Sequence, residues 1–142
     1  MADISSTVQF RQAIATTSAG TSSIDGAEVD MEGYDGVLFI CKFGTAAADN
    51  TIHAEQDTAT GMASAADLAS TETGVGSSDE IVWLDIYRPQ EQFVRCVADR
   101  GTSTTIDWGC YVQYGGSKGP VDNTVAGTIH GELHVSPSEG TK

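Results

Sequence analysis

The chain has 142 residues, which fits one domain that can bury a core without disulfides or metal. Its 20 acidic and 7 basic residues give a net charge of −13, which argues against binding to nucleic acid or to anionic lipid. Hydrophobic residues are 39% and charged residues 19% of the chain, with 16 glycines, a profile typical of a β-rich fold.

The N-terminal 22 residues are predicted to form an arm and a linker. Residues 7–14 partly alternate between apolar and polar types, which indicates a single strand, and the Thr- and Ser-rich stretch 16–23 is typical of a flexible linker. Such a strand often pairs with a sheet edge, either its own or a neighbour's. The start of the chain lacks the basic and apolar segments of a signal peptide, and no apolar run is long enough to span a membrane. We therefore expect a soluble protein made in the cytoplasm.

A β core is predicted over residues 23–118, within a single domain. Residues 24–29 indicate a short strand, and the nearly continuous apolar run 37–43 indicates a strand covered on both faces. Residues 51–56 alternate with period two, as a half-buried strand does. Residues 62–69 are the one helix candidate, and the tail from 119 to 142 is predicted to be extended, with weak strand character at 128–135.

Residues 80–114 are predicted to form three strands that organise the domain. A tight turn at Pro89 would place Ile86 opposite Phe93 and Val82 opposite Val97. Both faces of these strands carry apolar residues, so the second face needs a cover, either another sheet or another subunit. The sequence thus predicts an all-β fold, an antiparallel sandwich or barrel of jelly-roll type, with extended arms and at most one short helix.

The three cysteines, Cys41, Cys96 and Cys110, each lie in an apolar run. We interpret them as reduced, buried thiols, although Cys96 and Cys110 could face each other if the turn between their strands centres on Ser103.

Two motifs could carry ligand chemistry, and neither is complete. His130, Glu132 and His134 would share one face of a strand, but their order is not the HExxH of zinc proteases, so we interpret them as solvated residues. Residues 74–79 resemble the start of a phosphate loop but lack its lysine and its following helix. We therefore predict no metal site and no cofactor.

Asp85 and Asp107 lie inside apolar strands, where paired carboxylates could act as acid and base. We expect ion pairs with Arg95 or Arg88 instead. No nucleophile, base and oxyanion donor can be assembled from the motifs, so we predict no catalytic residue and no enzyme.

Four stretches, residues 29–39, 61–68, 84–89 and 111–115, resemble small proteins that tailed phages encode among their head genes, beside the major capsid protein. The resemblance covers about residues 28–120 and the ending from His134 to Pro137. It implies a capsid decoration, or cement, protein: a β-sandwich or barrel that assembles as trimers on the outside of an icosahedral shell of the HK97 type.

The expected function is therefore structural: a virion protein, made in the host cytoplasm, that stabilises the outer surface of a phage head by clamping neighbouring major capsid subunits as a homotrimer. The residues expected to contact the capsid or another subunit are Val8, Phe10, Arg11, Ile14, Tyr34 and Arg88. The alternative is a β-sandwich binding module for carbohydrate, displayed on a virion or tail. Such a module needs exposed aromatic residues, for which the candidates are Tyr34, Tyr87, Tyr111 and Tyr114.

Overall fold

The computed structural model describes residues 3–117, 123 and 127–141. Within these ranges one helix, α1 (Ile4–Thr7), precedes the strands, and its first turn is capped by Asp3, whose carboxylate accepts the Ser6 backbone N–H at 2.9 Å. The strands are β1 (Gln9–Ile14), β2 (Thr17–Gly20), β3 (Ile24–Asp25), β4 (Val29–Asp30), β5 (Gly36–Phe43), β6 (Asn50–Asp57), β7 (Ala66–Asp67), β8 (Thr73–Gly74), β9 (Ile81–Tyr87), β10 (Phe93–Arg100) and β11 (Thr104–Tyr114). No helix in the described part of the chain is long and apolar enough to cross a membrane.

Two antiparallel sheets pack against each other, which confirms the predicted all-β sandwich. The first sheet has the order β1-β11-β5-β9, and β2 pairs with β11 beyond the end of β1. The second sheet has the order β3-β10-β6-β7. In addition, β4 pairs with β10, and β8 pairs with β6.

The core lies between the inner faces of the two sheets, because alternate residues of each strand point inward. On β5 the inward residues are fully buried, namely Val37, Phe39, Cys41 and Phe43. The second sheet meets them with Ile52, Ala54, Val94, Cys96 and Ala98, also fully buried. The predicted strands at 37–43 and 51–56 are confirmed as β5 and β6.

The predicted hairpin at Pro89 is wrong, because β9 and β10 belong to different sheets. β9 pairs with β5, where Leu84 lies opposite Phe39, and β10 pairs with β6. Two-residue hairpins need a twist that comes from positive φ at the turn centre, whereas proline fixes φ near −65°. The positive φ lies one residue earlier, at Arg88 (52°), whose N–H donates to the Asp35 carbonyl at 2.7 Å. The chain therefore crosses from one sheet to the other at this point.

The residues predicted to form an arm and a flexible linker instead form two strands of the first sheet, β1 and β2. β1 pairs with β11 of the same chain, with Phe10 opposite Val112, and β2 occupies residues expected to be flexible. A bulge between Gln12 and Ile14 breaks the alternation, so Ala13 and Ile14 are both buried. Ile14 is 3% exposed in the chain's own core and cannot contact a neighbour, which corrects its predicted role.

The predicted helix at 62–69 is absent; β7 lies there, on the edge of β6. Gly61 and Met62 have φ of 85° and 48°, which is incompatible with a right-handed helix start. The strand expected at 24–29 is divided into β3 and β4. In the tail, residues 128–135 form no strand, and all of 131–141 is exposed. Residues 119–122 and 124–126 of the predicted tail lie outside the described residues.

Candidate functional site: an outward apolar sheet face and a histidine–carboxylate cluster

The outer face of the first sheet is apolar across four strands. Residues paired across neighbouring strands point to the same side of a sheet, so the register gives rows such as Cys110, Ile40 and Trp83. The apolar residues that point outward are Phe10 on β1, Trp108, Cys110 and Val112 on β11, Leu38 and Ile40 on β5, and Ile81, Trp83 and Tyr87 on β9. We call this surface the outer apolar face.

The β9 side of the outer apolar face is strongly exposed. Trp83 is 63% exposed, Tyr87 59% and Ile81 58%, and on β11 Trp108 is 37% exposed. Contiguous apolar patches of this kind mark interaction surfaces, and tryptophan and tyrosine are enriched among the residues that dominate binding energy. This face is the open second face of β9, for which the sequence predicted that a cover would be needed.

One end of the outer apolar face is fixed by Tyr114. Its ring lies over Gly36, where an added Cβ would be 2.4 Å from the phenol carbon, and its hydroxyl donates to Asp85 Oδ1 at 2.6 Å. Burial and this hydrogen bond raise the pKa of Tyr114 to about 12. Asp85 is therefore paired with a tyrosine, not with the arginine that we predicted.

The other end of the face carries an ion pair. Lys42 Nζ lies 2.5 Å from Asp107 Oδ2 and 3.1 Å from Asp79 Oδ1, and the hydrogen bond to Asp107 raises the pKa of the lysine. The predicted ion pair of Asp107 thus forms with a lysine. Arg95 binds Glu55 and Asp25 instead, at 2.7 and 3.2 Å.

The other predicted contact residues fall into two groups. Tyr34, half-buried, and Arg88, exposed, line one open cavity of 420 Å³, and the Arg88 guanidinium lies 5.2 Å from the centre of the Tyr87 ring. The second group lies at the other side of the first sheet. There the Asn123 side chain accepts from the Phe10 N–H and from Arg11 Nη1, and donates to the Val8 carbonyl. Only Phe10 of the six predicted contacts is part of the outer apolar face.

A cluster of one histidine and three carboxylates lies on the outer side of the second sheet. His53 and Glu55 alternate along β6, Asp67 comes from β7 and Asp99 from β10. His53 Nδ1 is 2.5 Å from Asp99 Oδ2, and Nε2 is 3.2 Å from Asp67 Oδ1 and 3.5 Å from Glu55 Oε1. Nε2 is buried, and neither of its contacts has hydrogen-bond geometry. Burial lowers the pKa of His53, but Asp99, with Glu55 and Asp67, raises it above the ordinary value.

Sequence reasoning missed this cluster. The spacing of His53 and Glu55 on a predicted strand was a usable signal, but Asp67 fell in the predicted helix and Asp99 is distant in sequence. The tail residues His130, Glu132 and His134 form no such cluster within the described residues. Glu132 contacts His134 at 2.9 Å and both are exposed, but His130 joins no group of three close ligand atoms.

All three cysteines are free, as predicted. Cys41 and Cys96 are fully buried in the core, and the Cys41 side chain and burial raise the pKa of Cys96. Cys110 lies in the outer apolar face, where burial raises the pKa of its thiol. Pairing of Cys96 with Cys110 is excluded by the fold, because Cys96 points into the core from the second sheet and Cys110 points outward from the first sheet.

The fold and its surfaces define a β-sandwich with one apolar outer face. No protein-family model matches the chain, and no curated protein matches it.

Proposed function

We propose that this protein is a structural component of a phage virion that decorates and stabilises the outside of the head by binding major capsid subunits. The observation that carries the proposal is the outer apolar face. Its exposed Trp83, Tyr87 and Ile81 stand on a rigid, hydrogen-bonded sheet, which suits them to dock against another protein. The role is mechanical: bound copies hold neighbouring capsid subunits together.

Two further features support this proposal. The net charge of −13 suits the outer surface of a DNA-filled shell. The four sequence stretches named above resemble head-decoration proteins of tailed phages.

A homotrimer is the assembly that we propose for the bound protein. Trimers match the local threefold positions of an icosahedral shell, and three linked contacts bind by avidity even if each is weak. Light scattering of the purified protein measures its mass, and the same measurement on head-bound protein released by mild denaturant gives its state on the shell. A monomer in both conditions would rule out the trimer.

The binding surface is tested with Trp83→Ser combined with Ile81→Ser. Both side chains are exposed, so the β-sheet circular dichroism should not change, while binding to purified heads should weaken about tenfold or more. The matched control is Leu133→Ser, which removes an apolar side chain of similar exposure from the tail, away from the face.

The result expected is loss of head binding, or loss of the trimer, in the double variant alone. If the double variant binds heads as the unchanged protein does and keeps its mass, the outer apolar face is not the binding surface.

A second candidate function is carbohydrate binding, which the exposed aromatic rings favour. Flat aromatic side chains stack on sugar rings, and Trp83 and Tyr87 are both exposed on the same face of β9, with Asp85 between them. Of the other tyrosines proposed for this role, Tyr34 and Tyr111 pack against the core and Tyr114 is hydrogen-bonded to Asp85. A glycan array discriminates the two functions, since a decoration protein should bind heads and no glycan.

A further inference from the structure

We propose that His53, Glu55 and Asp67 form a binding site for a divalent transition-metal ion such as Zn²⁺. Their ligand atoms, His53 Nε2, Glu55 Oε1 and Asp67 Oδ1, all lie within 4.8 Å of one another on the outer side of the second sheet. The inference is independent of the proposed function, because it concerns the opposite side of the sandwich from the outer apolar face.

Two of the three distances between the ligand atoms match those around a tetrahedral ion. An ion held tetrahedrally about 2.1 Å from each ligand keeps its ligand atoms about 3.4 Å apart. Nε2 lies 3.2 Å from Asp67 Oδ1 and 3.5 Å from Glu55 Oε1. Glu55 Oε1 and Asp67 Oδ1 lie within 4.8 Å of each other, so small side-chain rotations suffice to place all three atoms around one ion.

The imidazole is oriented for ligation. Asp99 Oδ2 lies 2.5 Å from Nδ1, and a carboxylate accepts there, so Nδ1 carries a proton and the neutral ring has its lone pair on Nε2. Metal-binding histidines almost always donate their other N–H in this way to a carboxylate or carbonyl. Ser23 Oγ donates to the second oxygen of Asp99 at 3.0 Å and holds that carboxylate in place.

The lone pair of Nε2 has no hydrogen-bond donor near it. This atom is buried and makes no hydrogen bond within the described residues, an unusual condition for a polar atom in a folded protein, and its near neighbours are the Asp67 and Glu55 oxygens. The Glu55 carboxylate is also oriented for ligation, because Arg95 binds its Oε2 at 2.7 Å and leaves Oε1 directed toward His53. A metal ion satisfies Nε2, Oε1 and Asp67 Oδ1 together.

One nitrogen and two carboxylate ligands favour Zn²⁺, Co²⁺ or Mn²⁺ over Ca²⁺, which takes six to eight oxygen ligands. The site opens into a cavity of 460 Å³, lined by His53, Asp67, Glu72 and Asp99 among others, which leaves room for water as the remaining ligand. Because Asp67 lies on the two-residue strand β7, a bound ion would fasten this edge strand to β6.

Isothermal calorimetry on the chelator-treated full chain tests the proposal, with Zn²⁺ and Ca²⁺ as probes and the visible absorption of Co²⁺ as a second signal. We expect one Zn²⁺ per chain and at least tenfold weaker binding of Ca²⁺. His53→Gln and Asp67→Asn should abolish the Zn²⁺ signal. Asp99→Asn should weaken affinity about 10- to 100-fold, because Asp99 acts by positioning the ring.

Two controls locate the ion. Glu72→Gln removes a carboxylate from the same cavity but none of the three ligands, and it should bind Zn²⁺ as the unchanged chain does. The double variant His130→Gln with His134→Gln tests the exposed tail histidines, and it should also retain binding.

Hydrogen exchange of the unchanged protein keeps the test informative if a variant fails to fold. Zn²⁺ should slow the exchange of β7 amides and raise the melting temperature in a concentration-dependent way. The proposal is overturned if no saturable Zn²⁺ binding occurs, if binding survives His53→Gln, or if it is lost in the tail variant. In the first case the cluster is an imidazolium held by carboxylates.

Discussion

At the scale of single residues, the packing of one tyrosine against one glycine holds the strands of the outer apolar face together at one end. Tyr114 occupies the space that a side chain at position 36 would need, and it extends across β5 to reach Asp85 on β9. One glycine therefore allows a tyrosine of β11 to connect three strands. The face is flat and rigid at this end because the aromatic ring is held at both its edge and its hydroxyl.

Substitution of this glycine should be destabilising. In Gly36→Ala the new Cβ must displace the Tyr114 ring and break its bond to Asp85, and overpacking of this kind lowers the free energy of unfolding by about 1–3 kcal/mol. Urea denaturation measures the change. Gly74→Ala on β8 is the control, since a Cβ there meets only ordinary contacts at 3.5 Å or more. Equal stability of the two variants would contradict the packing argument.

The raised pKa of Tyr114 gives a pH dependence with a definite sign. Because its folded-state pKa, about 12, exceeds the ordinary value of 10.0, the protonated phenol stabilises the fold. This contribution is complete below pH 10 and is lost as the pH rises toward 12. Asp85→Asn removes the charge of the acceptor and should lower the pKa of Tyr114, which an ultraviolet absorbance titration detects. An unchanged titration curve would show that Asp85 is not the cause.

At the scale of elements, β2 is held by a residue from the other sheet. Arg100, at the end of β10, is 6% exposed, and it donates from Nη1 to the carbonyls of Ser18 and Thr104 and from Nε to that of Ser22. The guanidinium thus binds β2, the loop after it and β11 at one point. Gly20 leaves the space for it, since a Cβ there would approach the guanidinium to 3.1 Å.

Replacement of this arginine should release β2. Arg100→Met leaves three carbonyls without their donor, and we expect a loss of about 2–4 kcal/mol in unfolding free energy together with faster hydrogen exchange over residues 17–22. Arg88→Met, at an exposed arginine, is the matched control and should change neither quantity. Unaltered exchange in Arg100→Met would mean that pairing with β11 alone orders the segment.

These contacts explain how much could be predicted from the sequence. The strands β5, β6 and β11 were predictable because their own side chains alternate or are apolar throughout. β2 consists of Thr, Ser, Ala and Gly and has no such pattern, since its order comes from Arg100 and β11, both distant along the chain. The histidine cluster was missed for the same reason: its side chains come from β6, β7 and β10, and only the sheet register shows that these strands are neighbours.

At the scale of the whole molecule, the two outer surfaces differ in chemistry. The first sheet presents Trp83, Ile81 and Tyr87 outward, whereas the second presents His53, Glu55 and Arg95. The first outer surface is therefore apolar and the second is polar and charged, so only the first is suited to apolar contact with another protein. The net charge of −13 opposes contact between copies at low salt.

Association between copies should therefore increase with salt. Screening weakens the repulsion between acidic surfaces but leaves apolar attraction in place, so the average mass in sedimentation velocity should rise between low and high sodium chloride. Trp83→Ser should reduce this rise. A mass that falls with salt would indicate that ion pairs, not the outer apolar face, hold the copies together.

The pairing of β1 with β11 also determines when the first sheet can form during synthesis of the chain. Gln9 on β1 donates to Gln113 on β11 at 2.7 Å, across a separation of 104 residues. The first strand made must therefore wait for the last one to leave the ribosome before it finds its partner. Since the outer apolar face spans both strands, no nascent fragment presents it in full. The outer apolar face is thus completed only when β11 has been translated, and the binding proposed for it would begin only after that point.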